Sequence, residues 1–324
     1  MGDLLLLLGG LVLLLGGGEM LVRGASALAR ELGVSPLVVG LTVVAFGTSA
    51  PELAVNVTAA WRGDAGLAFG NVVGSNIANI GLILGLAAIF RALSVRGVVV
   101  SREMPMMGVA TAAAVILGLD RLVDQPELYD RADGLMLLLL FGVFLYYTAA
   151  EVLRGRGEDP LVEEAEDQRR QSRLRTVASG LLVGALGLVI LVAGAELTVG
   201  AAVDLATDLG VPKSVVGLTL VAIGTSLPEL ATSLIAVRRG QLDLAVGNVV
   251  GSNLFNLLFV LGATASIHPV PVPAGGGVDL IALGVFSAAL LTFSLGAGRR
   301  IIRAEGWALL AAYGIYSTWR VLLS

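Results

Sequence analysis

The chain is a succession of apolar runs close to 20 residues long, separated by short clusters of Arg, Asp, Glu and Pro. As helices, runs of that length match the roughly 30 Å hydrocarbon core of a bilayer. They do not alternate in hydrophobicity as the strands of a membrane barrel do. Ten segments are predicted, at 4–22 (extending to 32), 36–60, 65–90, 98–119, 132–153, 176–203, 212–237, 243–267, 278–297 and 304–323. The first run, LLLLLGGLVLLL, has only Asp3 ahead of it, with no basic flank and no small-residue cleavage site. It is therefore read as a helix and not as a leader.

The pattern repeats. At an offset of 177, GLTVVAFGTSAPELA (40–54) lies over GLTLVAIGTSLPELA (217–231), and GNVVGSNIANIGLILG (70–85) over GNVVGSNLFNLLFVLG (247–262). From 40 to 85 there are 27 identities in 46 ungapped positions, and they include Gly, Asn, Ser, Pro and Glu, so shared apolar composition does not explain them. Upstream the match weakens but still pairs Glu19 with Glu196. The organisation expected is a five-helix unit (1–153), a mixed-charge connector (154–175) and a second five-helix unit (176–324). An odd number of spans per unit places the second copy upside down. The fold class expected is thus an all-α membrane protein of ten transmembrane helices in two inverted repeats, with helices 2 and 7 broken.

Composition agrees: of 324 residues 56% are hydrophobic and 14% charged. Of the 21 basic residues, only Arg62, Arg121, Arg131, Lys213 and Arg320 fall on the face that carries the N-terminus in the ten-span arrangement. The positive-inside rule then puts both termini outside, in a multi-pass protein of a plasma or inner membrane. The excess of Arg over Lys suggests a prokaryotic, GC-rich source. With no cysteine there is no disulfide framework and no thiolate nucleophile, and the single histidine, His268, sits beside Pro269 in an outer loop. No nucleic-acid partner, obligatory protein partner or cofactor is expected.

The repeated stretches carry the candidate chemistry. Pro51 and Pro228 have no N–H to give, and each ring crowds the carbonyl four residues back. Carbonyls of the preceding turn, among them Ala45, Thr48, Ala222 and Thr225, are expected to lose helical partners, which is tolerated at membrane depth only where backbone lines a cavity or is buried in protein. Glu52 and Glu229 follow directly, where an ionised side chain is costly and marks a functional site by default. Two carboxylates match a divalent cation. With oxygens from Thr48, Ser49, Thr225 and Ser226 they can build the six- to eight-oxygen shell of Ca2+, whereas Mg2+ holds its waters too tightly to suit such a cage. Ser75 with Asn79, and Ser252 with Asn256, are four apart and share a helix face. Gly70, Gly74, Gly247 and Gly251 are expected to let neighbouring backbones approach. Taken singly, S-x-x-E is a helix capping box and GNVVGSN ordinary small-residue packing. Duplication in register at membrane depth weighs against those simpler accounts. Glu19 and Glu196 are assigned a structural or interfacial role.

With these motifs in view the chain resembles the cation/calcium exchanger superfamily, and within it the prokaryotic sodium/calcium exchangers, over essentially its whole length. The paired G-T-S-x-P-E and G-S-N-x-x-N motifs look like that family's two alpha repeats. The resemblance implies that Glu52 and Glu229, with the carbonyls of Thr48 and Thr225, ligate Ca2+. It implies also that Ser49, Ser75, Ser226, Ser252 and the carbonyls of Ala45 and Ala222 line Na+ sites, with Asn79 and Asn256 at the middle. Some members, including potassium-dependent exchangers, carry Asp where this chain has Asn256, which argues against K+ cotransport. The activity implied is exchange of Na+ for Ca2+ by alternating access, with the two ions as cargo. A proton-coupled cation antiporter is the alternative, followed by a channel. An intramembrane enzyme ranks last for want of a Cys, a plausible triad or a GxGD motif.

Overall fold

The computed structural model describes residues 2–62, 66–95, 99–119, 128–154, 166–209, 222–296 and 299–323. Its helices are α1 (Gly2–Leu32), α2 (Pro36–Thr48), α3 (Ala50–Trp61), α4 (Leu67–Phe90), α5 (Val99–Gly118), α6 (Arg131–Arg154), α7 (Glu166–Asp208), α8 (Ala222–Thr225), α9 (Leu227–Arg238), α10 (Leu242–Ile267), α11 (Gly276–Leu295) and α12 (Arg303–Leu323). Seven of these are long and apolar enough to cross a membrane, and the bent pair α2–α3 makes an eighth. Of the ten predicted segments, the seventh begins in residues 212–221, outside the described residues. The tenth is present as α12, 21 residues long but less apolar than the others. Residues 155–165 of the predicted connector are likewise outside them, and its last turns from Glu166 are helical, continuous with α7.

Local signals set the helix boundaries. α1 ends where Gly33 takes φ 68° and the Val34 N–H reaches back to the Ala29 carbonyl at 3.0 Å, closing the last turn. Ser35 then accepts from the Val38 N–H at 3.3 Å with Pro36 in the first turn, which restarts the chain as α2. The break between α2 and α3 falls at Ser49 (φ −86°, ψ 5°) and bends the segment by 44°. Ser226, between α8 and α9, has nearly the same backbone (φ −89°, ψ 5°).

The helices form an interior and a lipid-facing rim. α10 and α4, which carry the GNVVGSN motifs, are 94% and 78% buried over their apolar windows, against 22% for α6 and α7. α1 and α7 run antiparallel along the rim on a glycine seam. A Cβ on Gly10, Gly17 or Gly24 would overlap main chain of α7 near Thr198, Leu191 and Gly184 respectively, so only glycine permits that approach. Gly247 and Gly251 do the same between α10 and α2, meeting Leu37 and Leu41 backbone. Gly70 and Gly74 have no such neighbour among the described residues.

Two short antiparallel ladders cap the opposite ends of the bundle. β1 (Leu93–Ser94) pairs with β4 (Arg300–Ile301), and β2 (Leu128–Tyr129) pairs with β3 (Val270–Pro271). At the repeat offset of 177, β1 falls on β3, so a strand paired at one end has its sequence counterpart paired at the other. The Arg91 guanidinium covers Gly240, placing the α9–α10 turn at the β1–β4 end. Phe69 lies against Tyr129 with ring centroids 6.4 Å apart, placing the start of α4 at the β2–β3 end.

Candidate functional site

The two broken segments and the two buried helices meet in the interior, and their polar side chains converge there. Glu52 on α3 and Glu229 on α9 are both 0% exposed and close enough to interact electrostatically. Each stands in the first turn after a break, because the proline one residue earlier starts a new helix there. Ser49, at the first break, donates to Glu229 Oε1 at 3.1 Å, and Ser252 on α10 donates to the same oxygen at 3.5 Å. Glu229 is thereby held by both halves of the chain. Glu52 has no such support: neither carboxylate oxygen has a hydrogen-bond partner among the described residues, and Ser226, the counterpart of Ser49, leaves its hydroxyl unpartnered.

The remaining predicted positions fall around this pair. Thr48, Ser75, Asn79, Ser252 and Asn256 are buried, Thr225 is half-buried, and Ala45 is fully enclosed. Ala222 opens α8. Ser75 donates to Asn71 Oδ1 at 3.3 Å. Asn79 donates to Asn253 Oδ1 at 3.0 Å and keeps its own carbonyl oxygen free, while Asn256 has neither amide atom paired. Both asparagines lie in wide π turns, Asn79–Leu84 and Phe255–Val260, where a regular α-helix was expected. A π turn adds a residue to the helical cycle and re-aims the side chains around it.

The first break releases fewer carbonyls than expected. Ala45 O accepts from the Ser49 N–H at 3.0 Å and from the Thr48 hydroxyl at 3.3 Å, so it is not left without a partner. The lost bond is local to Pro51, whose missing N–H would have served Gly47. A carbonyl has two lone pairs, so Ala45 O takes a further contact only by giving up the Thr48 hydroxyl.

Sequence reasoning passed over a set of asparagines that the structure makes central. Thr48 donates to Asn248 Oδ1 at 3.3 Å, and Asn248 in turn donates to Ser233 at 3.0 Å. In the other half, Thr225 donates to Asn71 Oδ1 at 3.4 Å, and Asn71 donates to Asn56 at 3.5 Å. Every member of one chain lies 177 residues from its counterpart in the other. Each repeat's threonine is thus fixed by the other repeat's asparagine. The signal was present, since Asn71 and Asn248 are identities within GNVVGSN, but a motif shows which residues recur and not which face each other.

Chemically the site is acceptor-rich. Besides the Glu52 oxygens, Glu229 Oε2, Asn79 Oδ1, Asn256 Oδ1 and Thr232 Oγ1 are buried without a partner. Orphaned buried oxygens in such number are costly unless a cation, proton or water completes them. The acidic content is two glutamates; no group of three or more His, Cys, Asp or Glu converges among the described residues. Neutral oxygens supply the rest, a donor set for hard cations that sit in water before they enter.

The chain is similar to known proteins in sequence and in fold. A sequence model described as sodium/calcium exchanger protein matches residues 3–150 and 179–322. The protein CaxA of Alkalimonas amylolytica is 41% identical over 286 residues, 87% of each chain. The sodium/calcium exchanger MaX1 of Methanosarcina acetivorans is 32% identical over 308 residues, 87% of this chain and 88% of that one. A structure of the sodium-calcium exchanger NCX_Mj soaked with 10 mM Na+ and zero Ca2+ superposes with a TM-score of 0.82 at 33% identity, covering 97% of both chains. Because the family match spans both halves and the superposition runs nearly end to end, this chain belongs to the sodium/calcium exchanger protein family and is a multi-pass membrane antiporter, not an enzyme.

Proposed function

We propose that the protein exchanges Na+ for Ca2+ across the inner membrane by alternating access at the Glu52–Glu229 site. The observation that carries this is the convergence of two fully buried carboxylates, one from each copy of the motif, among unpartnered neutral oxygens. Glu52 and Glu229, with the carbonyls of Thr48 and Thr225, are the Ca2+ ligands in this reading. Ser49, Ser75, Ser226, Ser252 and the carbonyls of Ala45 and Ala222 serve Na+, with Asn79 and Asn256 between. Ser75 would have to turn from Asn71 to do so.

The architecture proposed is ten spans in two inverted units, 1–153 and 176–324, joined by 154–175, with both termini outside. Its support is the 177-residue register together with the crossed pairing of β1 with β4 and β2 with β3. A single copy presents half of the charge a divalent ion requires. Two copies facing each other in opposite orientation present the whole of it near the midplane.

Obligatory exchange follows from electrostatics. Bringing two bare carboxylates through a closed, low-dielectric state is strongly unfavourable, so the empty carrier does not cross. One Ca2+ neutralises the pair. Three Na+ would leave one positive charge, which makes exchange in that ratio electrogenic. Proton coupling is the second reading, favoured by the two unpaired oxygens of Glu52, which suit a proton as well as a cation.

Proteoliposomes loaded with Na+ and given external 45Ca2+ separate the two. The expectation is uptake that requires an outward Na+ gradient. Uptake driven equally by a pH gradient in Na+-free buffer would establish the second reading, and uptake with no counter-ion would indicate a channel.

A further inference from the structure

We propose that two ion pairs, Glu19–Arg239 and Glu196–Arg62, are alternating latches, one at each end of the bundle, and that the transport cycle closes one as it opens the other. The proposal rests on the inverted-repeat, alternating-access reading above and names the residues that hold each of its end states. Glu19 on α1 accepts from Arg239 through both carboxylate oxygens, from Nε at 3.0 Å and from Nη2. Arg239 follows directly after α9 in the turn at the β1–β4 end, so this fork ties the rim helix α1 to the segment that carries Glu229.

The same four positions recur in the repeat. At the offset of 177, Glu19 falls on Glu196 and Arg62 on Arg239, and both arginines precede a glycine, Gly63 and Gly240. Arg62 follows α3, the segment that carries Glu52, near the start of α4 at the β2–β3 end. The counterpart latch is therefore Glu196 on α7 with Arg62. In this structure both side chains are exposed and neither makes an ion pair among the described residues. Among the described residues the molecule is tethered at one end and not at the other.

Inverted copies can exchange conformations, so the state tethered at the β1–β4 end implies a partner state tethered at the β2–β3 end. Glu19 and Glu196 sit on helices that the glycine seam packs into one unit, with Glu19 towards one end and Glu196 towards the other. A shift of that unit along its own length brings one carboxylate to its arginine as it withdraws the other. The copies differ in one respect. Arg23, at 3.2 Å, remains beside Glu19 when Arg239 leaves, whereas Gly200 takes that place beside Glu196. Opening the first latch leaves its carboxylate with a counter-charge, and opening the second does not.

The chain contains no cysteine, so a pairwise thiol test needs no background removal. Glu19→Cys with Arg239→Cys, and separately Glu196→Cys with Arg62→Cys, are treated in proteoliposomes with a short, reducible bifunctional thiol reagent. The first pair is expected to link readily and the second in a minor fraction. Either link should stop 45Ca2+ flux until it is reduced. Neutralising the first latch with Glu19→Gln, in the protein that carries the second thiol pair, should raise linking of that pair about two- to fivefold, the weight of a half-exposed ion pair. The charge-swapped protein, Glu19→Arg with Arg239→Glu, should return it to the starting level. A second pair that never links, that links together with the first in the same molecules, or that does not respond to Glu19→Gln overturns the proposal. Linking is read by mobility on a gel and needs no transport. A cycle driven by protons would therefore overturn the proposed Na+ coupling and leave this inference standing.

Discussion

The hydroxyl of Ser49 donates a hydrogen bond to Oε1 of Glu229 at 3.1 Å, across 180 residues of sequence. Its counterpart Ser226 gives nothing to Glu52. The site is built from copies of one motif, yet in this conformation its two carboxylates are held differently. Ser49→Ala should lower the thermal stability of the ion-free protein by about 1 kcal/mol, the worth of one hydrogen bond to a buried acceptor. Ser226→Ala should leave it unchanged within error. Thermal unfolding in detergent without Na+ or Ca2+ checks the difference, and equal losses would mean that the asymmetry is not a property of the protein in solution.

Glu52 and Glu229 are the only acidic side chains placed at the site among the described residues. Removing one charge while keeping the shape, by Glu52→Gln or Glu229→Gln, should weaken Ca2+ binding by roughly ten- to hundredfold, in line with the worth of a contact to a charged group. Exchange should fall below detection while the protein still inserts and runs as a single species. Calorimetric titration with Ca2+ and 45Ca2+ flux measure the two effects, and near-normal flux in either variant would remove that residue from the ion path.

The crossed chains Thr48–Asn248–Ser233 and Thr225–Asn71–Asn56 join the repeats. Truncating a buried amide orphans the groups that faced it, at a cost of about 1–3 kcal/mol. Asn248→Ala should therefore lower the melting temperature by several degrees. It should weaken ion binding less than Glu229→Gln does, because in this structure Asn248 contacts the Thr48 hydroxyl and the Glu229 backbone and not the carboxylate.

Gly17 sits where a Cβ would overlap the Leu191 main chain. Gly17→Val should force α1 and α7 apart and destabilise the protein by about 1–3 kcal/mol, the usual penalty of overpacking. Gly16→Val, at a neighbouring position with open space, is the matched control and should be nearly neutral. The comparison is read from unfolding curves of the two variants.

Much of this protein was legible along the chain. The membrane-length runs, the 177-residue duplication, the breaks at Pro51 and Pro228 and the two glutamates follow from composition and spacing, because lipid demands long apolar helices and makes any charge within them conspicuous. The family motif marked the neighbourhood in which the buried polar side chains converge. The π turns at Asn79 and Phe255–Val260 were not legible, since they depend on how neighbouring helices crowd a turn and not on the residues within it.

Pairing between the copies belonged to the tertiary structure alone. Nothing in GNVVGSN says that Asn248 meets Thr48, or that Ser75 turns to Asn71 while Ser252 turns to Glu229. Glu19 and Glu196 occupy matching positions, yet only Glu19 finds an arginine from the other repeat among the described residues. By itself the sequence determined that the motif, with its serine and glutamate, occurs twice. The fold decided that the two copies are held differently, because packing brings Ser49 to Glu229 and leaves Ser226 and Glu52 without a partner among the described residues.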